Sequence, residues 1–484
     1  MNFTLRQLQT WLPHAQVVPG TLTAARAQSV MIQAVRTDSR SVVAGDLFVA
    51  LKGETFDGAA FLLQAQSQGA VALVFETPDL QSSDTLKHLQ GVHIPAFYVP
   101  NAREALGALA TQWRRQFELS LIGVTGSNGK TTVTQMIASI LRADASHPSM
   151  STQGNLNNEI GVPLTLFNLR AAHRRAVVEL GMNHPGEIEV LARYAQPTVG
   201  LVNNAQREHQ EFMATVEAVA RENAEVIRSL PVDGVAVFPA ADVYTSLWRE
   251  LAGKRQFITF GFDVGDVQAH DIAWTQGAWQ FNLVTASQTL PCRLNIAGRH
   301  NVLNALAATA CALAAGMALI DIVKGLESFE PVKGRSKTSQ WQIKGHAYTL
   351  VDDTYNANPD SVRAAIDVLA ELPAPRLLVL GDMGEVGQQG PEFHAEVGTY
   401  AKSSGIEALF TLGHLCVHSS QAFAGARHFD SMEALQAAVV SHMPSCNSVV
   451  IKGSRFMKME RVVESLRVLT ESAQANERES VHAA

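Results

Sequence analysis

Short apolar runs, each followed by a polar turn, recur along this 484-residue chain and limit its fold more than any other feature. They have the length of buried parallel strands and read SLIGVTG, RAVVELG, VGLVNNA, GVAVFPA, YTLVDDT, RLLVLGD and SVVIKGS. Helical patterns follow several of them, including KTTVTQMIASILRA, PDSVRAAIDVLAEL and FMKMERVVESLRVL. This alternation predicts an α/β fold whose open sheets are mostly parallel and joined by right-handed crossovers.

Breaks in this pattern predict three domains, a number that the length of the chain allows. The first spans residues 1–98, because HIPAFYVP closes a strand and NAREALGALATQWRRQ then opens a helix. The second spans residues 99–330 and holds a glycine-rich loop. The third spans residues 331–484 and begins near FEPVKGRSK.

Composition argues against several classes of protein. A formal net charge of −7 is unfavourable for broad nucleic-acid binding. The four cysteines, Cys292, Cys311, Cys416 and Cys446, form no C-x-x-C pair, so we predict buried thiols rather than disulfides or a zinc site. No uninterrupted apolar run reaches the roughly 18 residues of a membrane span. We therefore expect a cytoplasmic protein that does not insert into membranes.

The stretch GVTGSNGKTTV has the character of a phosphate-binding loop between a strand and a helix. Its glycines permit a tight turn that aims backbone N–H groups at an anion, and Lys130 can reach the outer phosphates. The first glycine of the strict P-loop spacing is missing, so a turn that merely caps a helix is the alternative. We assign nucleoside-triphosphate contacts to the whole loop, which comprises Thr125, Gly126, Ser127, Asn128, Gly129, Lys130, Thr131 and Thr132.

Polar residues follow the predicted strands at their carboxyl ends, where open α/β sheets bind ligands. These residues are Lys130, Glu179, Asn203, Asn204, Asp352, Asp353, Asp382 and Lys452. Because the series runs through two of the predicted domains, it predicts either two crevices or one crevice shared by both domains.

Residues in or near these strand-end segments are candidates for metal binding. Thr131 or Thr132 can offer a hydroxyl to Mg²⁺, and Glu179 is a natural carboxylate ligand beside a phosphate loop. His209 follows another strand end in NNAQREHQ and is a candidate ligand of a second metal. The alternatives are a solvated strand-end Glu179 and a structural His209.

Amide side chains cluster in two further segments. TQGNLNNEIG carries Asn155, Asn157 and Asn158, which suit a neutral polar ligand or ordinary turn chemistry. In GRHNVLNALAA, Asn301 and Asn304 are three residues apart on one helical face and are placed to meet a nucleotide base. For Asn301, helix capping is the alternative.

The third predicted domain supplies both carboxylates and positive charge. VDDTYNANPDS delivers Asp353, Tyr355 and Asn358 to the end of a strand. Arg335 in VKGRSK and Lys452 in VIKGSRF can neutralise a developing phosphoryl or acyl-phosphate group.

Together these motifs resemble the Mur ligase family of bacterial peptidoglycan synthesis over nearly the whole chain. TGSNGKTT, VELG, NNAQREH, GRHNVLNALAA and VDDTYNANPDS stand in family order. ELGMNHPGEI, GDMGEVG and IKGSR are similar to the member that joins D-alanyl-D-alanine to UDP-N-acetylmuramoyl-tripeptide. TDSRSVVAGDLFVALKGETFDGAAF resembles the uridine-nucleotide-binding domain, with Ser39 and Arg40 at matching positions.

The resemblance implies an N-terminal uridine-nucleotide-binding α/β domain, a central P-loop-type ATPase domain, and a C-terminal Rossmann-like domain. The last would close on ATP and bind the incoming dipeptide. The implied enzyme is an ATP-dependent amide ligase that works through an acyl phosphate, releases ADP and phosphate, and needs ATP and Mg²⁺. The resemblance also implies a cytoplasmic monomer that serves peptidoglycan synthesis, and through it cell wall biogenesis, cell shape, cell division and the cell cycle.

The resemblance also implies roles for individual residues. Lys130, Glu179, His209 and Arg335 would be catalytic, and Thr131, Glu179 and His209 would bind metal. Asn301, Asn304 and Asp353 would bind the nucleotide cofactor. Substrate contacts would come from Ser39, Arg40, Asn155, Asn157, Asn158, Tyr355, Asn358 and Lys452.

Two positions depart from the family pattern. Ala59 stands where members often have histidine, and Asn223 stands where many carry a lysine that is sometimes carbamylated. Adjacent Glu222, or water, is then the alternative ligand for the second metal.

Three other functions stay open at this point: a Mur-type ligase for a different amine, a folylpolyglutamate-type ligase, and a nucleotide-binding switch or transport ATPase. The uridine-binding segment and the asparagine-rich loop argue against the switch and the transport ATPase.

Overall fold

The computed structural model describes residues 1–208, 210–343 and 346–470. In this part of the chain, helices pack against three main β-sheets, each formed by one continuous stretch of sequence. All seven apolar runs contain strands of these sheets, which confirms the predicted α/β class. His209, a candidate metal ligand, lies outside the described residues.

The N-terminal sheet is mostly parallel. Its region is built from β1 (Phe3–Thr4), α1 (Leu5–Trp11), β2 (Gln16–Val17), α2 (Ala24–Ser29), β3 (Met31–Ile32), β4 (Ala34–Arg36), β5 (Asp46–Ala50), α3 (Leu62–Ser67), β6 (Ala72–Glu76), α4 (Ser83–Leu89) and β7 (Ala96–Val99). The strand order is β2-β7-β6-β5-β4, and only β2 runs antiparallel. Helix α5 (Ala102–Arg114) follows and is capped by Asn101, whose side chain accepts hydrogen bonds from the amides of Arg103 and Glu104.

The central sheet has nine strands in the order β16-β15-β14-β13-β12-β11-β8-β10-β9. Its region comprises β8 (Ser120–Thr125), α6 (Lys130–Ala143), β9 (Ser149–Ser151), α7 (Gly161–Leu166), β10 (Arg175–Glu179), α8 (Glu187–Ala195), β11 (Val199–Val202), α9 (Gln210–Met213), α10 (Val216–Asn223), α11 (Glu225–Arg228), β12 (Val235–Pro239), α12 (Thr245–Ala252), β13 (Gln256–Gly261), β14 (Val267–Thr275), β15 (Ala278–Thr285), β16 (Thr289–Leu294), α13 (His300–Ala314) and α14 (Leu319–Glu327). Strand β15 pairs antiparallel with both β14 and β16, and the other neighbouring strands pair parallel.

Strand β8 lies between β10 and β11, where the order of the sheet reverses. Such a reversal opens a crevice beyond the carboxyl ends of the strands, so the loop after β8 lies where a ligand binds. Helix α6 follows this loop and buries Val133, Ile137 and Ile140 completely. Each such side chain contributes about 1.5–3 kcal/mol to stability. Gly325 lets α14 approach closely, because a Cβ there would lie 2.3 Å from the Cα of Ile140.

The C-terminal sheet has the order β17-β18-β22-β19-β20-β21, with only β17 antiparallel. Its region comprises β17 (Lys337–Ile343), β18 (His346–Asp353), α15 (Pro359–Ala370), β19 (Arg376–Gly381), α16 (Gly390–Ser403), β20 (Ala408–Leu412), α17 (Cys416–Phe423), β21 (Arg427–Phe429), α18 (Met432–His442) and β22 (Ser448–Lys452). Residues 460–470 are also helical. Since β22 inserts between β18 and β19, its last residue, Lys452, pairs in register with Asp353.

The alanine-rich segment predicted to be a packed helix is α13, whose residues from Val302 to Ala312 are almost all buried. In the described part of the chain, no helix combines the length and the hydropathy needed to cross a membrane.

Candidate active site

One cavity of about 1150 Å³ lies between the carboxyl ends of the central and C-terminal sheets. The central region lines it with Ser127, Asn128, Gly129, Lys130, Thr131, Thr132, Asn155, Asn157, Asn158, Glu179, Asn203, Asn204, Asn301 and Asn304. The C-terminal region adds Arg335, Asp353, Tyr355, Asn358 and Lys452. Of the two arrangements left open by the sequence, the structure therefore has a crevice shared by two sheets.

Two glycines give the phosphate loop its shape. Gly126 and Gly129 have φ values of 133° and 82°, in the region that favours glycine. Space is also tight, because a Cβ on Gly129 would lie 2.6 Å from Oδ1 of Asn304. Helix α6 begins directly after the loop, at Lys130. Its first amides therefore face the cavity edge and favour an anion there.

The ammonium group of Lys130 is held at the base of this loop. It donates to the carbonyl oxygens of Gly126 at 2.6 Å and Ser127 at 3.1 Å. It also lies 3.2 Å from Oε1 of Glu208, whose side chain is only 4% exposed. The lysine thus carries its charge beside the anion site and is neutralised by a buried carboxylate.

Hydrogen-bonded asparagine side chains connect the phosphate loop to the start of α13. Nδ2 of Asn203 donates to the carbonyl of Asn128 at 2.8 Å and to Oδ1 of Asn304 at 3.0 Å. Nδ2 of Asn304 donates to Oδ1 of Asn301 at 2.9 Å, and Asn301 donates to the carbonyl of Ala297 at 2.7 Å. The two predicted base-binding residues thus line the cavity and also fix the start of α13 against the loop.

Glu179, at the end of β10, has the features of a cation ligand. Its Oε1 accepts hydrogen bonds from Oγ1 of Thr131 at 3.1 Å and Nδ2 of Asn157 at 2.8 Å. Its Oε2 is buried and has no hydrogen-bond partner among the described residues. A buried, unpaired carboxylate oxygen is unfavourable without a cation. Since carboxylate and hydroxyl oxygens are the ligands that Mg²⁺ prefers, this donor set fits that ion.

On the opposite wall, the C-terminal region contributes an ion pair and an arginine that stacks on an aromatic ring. Nζ of Lys452 lies 2.6 Å from Oδ2 of Asp353 and donates to the carbonyl of Asn356 at 2.8 Å. The guanidinium carbon of Arg335 lies 3.9 Å from the ring centroid of Tyr355. This stacking holds Arg335 at the cavity wall while leaving its N–H groups able to meet an anion.

The remaining predicted site residues lie in three places. Asn358 caps α15 and donates to Oδ1 of Asn128 at 2.9 Å, so it joins the two walls. Thr125 is fully buried and donates to Oδ1 of Asn223 at 2.6 Å, outside the cavity lining. Ser39 and Arg40 lie in the N-terminal region, where Arg40 pairs with Asp38 at 2.7 Å.

The Asn155 and Asn158 loop and the histidine of α13 also meet the cavity. Oδ1 of Asn158 accepts from the amide of Gly161 at 2.9 Å at the start of α7, while the Asn155 carbonyl accepts from the amide of Asn157. Burial lowers the pKa of His300, and nearby Asp353 opposes this shift. His300 is therefore a neutral polar group near the predicted base site.

Glu222, the alternative metal ligand, is committed elsewhere. Its Oε1 accepts from the amide of Ile188 at 2.9 Å, in the first turn of α8, and it is not part of the cavity lining. Neighbouring Asn223 is fully buried under Thr125.

Several residues at the site were not among the sequence predictions. Glu208 pairs with Lys130, and Gln206 receives a hydrogen bond from Nδ2 of Asn128 at 2.6 Å. Arg207 between them binds Asp360 of α15 at 2.7 Å. The motif NNAQREH contains all three residues. Only its asparagines and histidine were predicted to have roles, because the position of a residue after a strand does not show which distant side chain it contacts.

The four cysteines are buried and free, as predicted. Burial raises the pKa of Cys292 to about 12 and that of Cys446 to about 11, so these thiols stay protonated at neutral pH. Cys416 lies near Asp382 and His394 with ligand-like spacing. Both nitrogens of His394 are hydrogen-bonded to backbone, and Asp382 accepts from the amides at the start of α17. This cluster is therefore a structural network and lies outside the cavity lining.

Known protein families match most of the chain. Residues 31–114 match the family model described as Mur ligase family, catalytic domain. Residues 124–312 match the Mur ligase middle domain, and residues 340–455 match the model described as Mur ligase, glutamate ligase domain.

Individual relatives match over nearly their full length. The UDP-N-acetylmuramoyl-tripeptide–D-alanyl-D-alanine ligase of Haemophilus influenzae is 38% identical over 448 residues, covering 91% of this chain and 94% of that protein. The crystal structure of MurF from Acinetobacter baumannii is 34% identical with a TM-score of 0.86, covering 96% and 99%. A MurF ligase from Thermotoga maritima, solved in complex with ADP, is 26% identical with a TM-score of 0.79, covering 91% and 98%.

Proposed function

Since this chain belongs to the Mur ligase family, we propose that its cavity joins D-alanyl-D-alanine to UDP-N-acetylmuramoyl-tripeptide with the use of ATP. The product is a peptidoglycan precursor, and the reaction takes place in the cytoplasm. The names of the similar proteins and the shared three-domain α/β architecture support this function.

The observation that carries the proposal is the shared cavity. Lys130 and Glu179 face it from the central region, and Arg335 and Lys452 face it from the C-terminal region. A transferring phosphoryl group between these walls would meet cationic groups on both sides. Such a two-sided arrangement suits phosphoryl transfer to a carboxylate, because the chemistry depends on charge placement and orientation.

The reaction follows from the weakness of a carboxylate as an acyl electrophile. Its oxygen attacks the γ-phosphorus of ATP, the bond to the β,γ-bridging oxygen breaks, and ADP leaves. The dipeptide amine then attacks the carbonyl carbon of the acyl phosphate, loses a proton, and expels inorganic phosphate. Lys130 and the loop amides hold the ATP phosphates, while Arg335 faces the charge that develops during transfer.

Bound metal would reduce the repulsion between the substrate carboxylate and the ATP phosphates. Thr131 and Glu179 are the residues that would hold a first Mg²⁺, as the unpaired oxygen of Glu179 supports. His209 remains a proposed ligand of a second metal. Asn301, Asn304 and Asp353 are proposed to bind the nucleotide.

The substrate contacts complete the proposal. Ser39 and Arg40 would bind the uridine nucleotide, and the asparagine-rich loop of residues 155–158 would lie along the acceptor peptide. Tyr355, Asn358 and Lys452 would lie near the incoming dipeptide. The proposed domain limits are residues 1–98, 99–330 and 331–484, and the proposed oligomeric state is a monomer.

The first experiment measures phosphate release from ATP in the presence of UDP-N-acetylmuramoyl-tripeptide, with and without D-alanyl-D-alanine. Dipeptide-dependent release, with a nucleotide product heavier by one dipeptide residue mass, is the expected result. Release that ignores the dipeptide, without a gain in mass, would contradict the proposal. A panel of amino acids and a folate substrate would then separate a ligase with another amine from an ATPase.

A further inference from the structure

Arg207 uses its backbone amide and all three guanidinium nitrogens to donate hydrogen bonds to the C-terminal region. Its backbone amide donates to Oδ2 of Asp360 at 2.8 Å, and Nη2 donates to Oδ1 at 2.7 Å. Nη1 and Nη2 also bind both oxygens of Glu396, at 2.7 and 3.0 Å. The guanidinium carbon lies 5.3 Å from the ring centroid of Phe393.

The carboxylates of this cluster come from two helices of one region, whereas Arg207 comes from the other. Asp360 is in the first turn of α15, and Glu396 is on α16. Arg363 of α15 also binds Glu396, at 3.0 Å. The side chains of Arg207 and Asp360 are only 24% and 23% exposed. Withdrawal of Arg207 would leave Asp360 without this partner at a partly desolvated site, which is unfavourable.

The two neighbours of Arg207 in sequence hold the phosphate loop. The amide of Gln206 donates to Oγ of Ser127 at 2.8 Å, and its side chain accepts from Asn128 at 2.6 Å. On the other side, Glu208 pairs with Lys130 at 3.2 Å. Three consecutive residues therefore touch the phosphate loop, the C-terminal helices, and the phosphate loop again. A displacement of Arg207 moves both loop contacts with it.

We propose that Arg207 is a positioning residue that couples the C-terminal helices α15 and α16 to the phosphate loop. It acts through Gln206 and Glu208, so it sets where Lys130 lies relative to Arg335 on the opposite wall. This inference goes beyond the proposed ligase activity but rests on it for its kinetic test. A lysine cannot replace the guanidinium group of Arg207, because a single ammonium group cannot bind two carboxylates in bidentate fashion.

The kinetic test compares Arg207→Ala, Arg207→Lys and Asp360→Asn with the wild-type enzyme in the complete ligation assay. We expect kcat of Arg207→Ala to fall by roughly 10- to 100-fold, since small errors of position have effects of this size. We also expect the KM for the dipeptide to rise and Arg207→Lys to restore little. Simple loss of folded protein would lower kcat without changing KM.

Coupling is tested by the double variant Arg207→Ala/Asp360→Asn, which should be no slower than Arg207→Ala. Arg221→Ala is the matched control, because Arg221 is exposed and its ion pair among the described residues lies within its own helix, with Glu217. It should keep wild-type kinetics. Wild-type turnover in Arg207→Ala, or two single effects that multiply in the double variant, would overturn the proposal.

A readout that needs no catalysis separates this inference from the function itself. Small-angle X-ray scattering should give a larger radius of gyration for Arg207→Ala than for wild type, with an unreactive ATP analogue present. Glu396→Gln is the second variant, and it serves if Arg207→Ala fails to fold. It keeps the side-chain volume and should also increase the radius of gyration. Unchanged radii in both variants would overturn the coupling, whereas a wild-type enzyme without ligation would overturn only the proposed function.

Discussion

At the scale of single residues, the site depends on charges that are fixed in place before any ligand arrives. Lys130 is held by two carbonyl oxygens and by Glu208, with its side chain 16% exposed. These partners occupy the three N–H donors of the ammonium group, so a phosphate would take the place of one of them. A charge held in position in this way is where electrostatic stabilisation is most effective.

Lys130→Ala should therefore abolish ligation. The variant removes the cation nearest the phosphate loop, and losses of 10²–10³-fold are typical for a single preorganised group. Ligation is measured by product mass, and the melting temperature shows whether the fold is retained. Lys324→Ala is the control, since Lys324 is exposed and pairs with Asp321 of its own helix. Full turnover by Lys130→Ala would remove this loop from the mechanism.

Glu179→Gln should raise the Mg²⁺ concentration needed for half-maximal activity. The amide keeps the size of the side chain but removes the negative charge, while Thr131 and Asn157 remain beside it. A Mg²⁺ titration of the ligation rate measures the effect, with exposed Glu217→Gln as control. Identical titration curves for Glu179→Gln and wild type would exclude Glu179 as a metal ligand.

At the scale of elements, carboxylates that follow strands serve two different purposes. Some line the cavity, and others accept hydrogen bonds from the first amides of a helix. Asp353 is the last residue of β18, and Asp382 directly follows β19. Asp353 lines the cavity. Asp382 instead accepts a hydrogen bond of 2.7 Å from the amide of Cys416, the first residue of α17. A strand-end carboxylate in sequence is therefore ambiguous until its neighbouring loop is placed.

The network around α16 predicts a pH dependence of stability. Nδ1 of His394 lies 2.7 Å from the carbonyl of Gly390, and Nε2 accepts from the amide of Met383 at 3.0 Å, so the ring is neutral. Burial lowers the pKa of His394 below its usual value. Below about pH 6.5 the unfolded chain takes up a proton that the folded protein does not, so stability falls with falling pH. The loss stops growing below the folded pKa.

We expect the melting temperature of the wild type to drop between about pH 7.5 and about pH 5.5, and His394→Gln to drop less. Thermal unfolding at a series of pH values measures both curves. Exposed His414→Gln is the matched variant outside the network. Equal slopes for wild type and His394→Gln would refute the assignment of a buried neutral imidazole.

At the scale of the whole molecule, the candidate site lies in the cavity where the central and C-terminal regions meet. Asn128 of the phosphate loop and Asn358 at the start of α15 share a hydrogen bond of 2.9 Å across the cavity. A nucleotide bound in the cavity would touch both regions, so its binding energy stabilises their contact. At about 100 times its dissociation constant, a ligand stabilises the folded state by about 2.7 kcal/mol.

Asn358→Ala should reduce the rise in melting temperature that an ATP analogue produces. The variant removes the contact with Asn128 and also the cap of α15, and a lost cap costs about 1 kcal/mol. Ser431→Ala removes only a cap, that of α18, and should keep the full rise caused by the nucleotide. Thermal unfolding with and without the analogue measures the difference. An equal rise in the two variants would contradict a bridging role for Asn358.

Much of this arrangement was predictable from local patterns. Apolar runs identified the strands, since burial of a parallel strand demands them, and GSNGKTT predicted a tight turn, since Gly126 and Gly129 have the backbone angles that favour glycine. The positions of Lys130, Glu179 and Lys452 at one cavity also follow from strand ends that meet at one edge of each sheet.

Which groups touch one another was decided only by the tertiary structure. The pairing of Arg207 with Asp360 joins residues 153 positions apart, and that of Lys130 with Glu208 joins residues 78 apart. Neither pair has a local spacing signal, because strand and helix periods describe a residue's own element and not its distant partner. Sequence thus determined the elements and their reactive ends, whereas the packing of one sheet against another determined the partners, since charges pair through space and not along the chain.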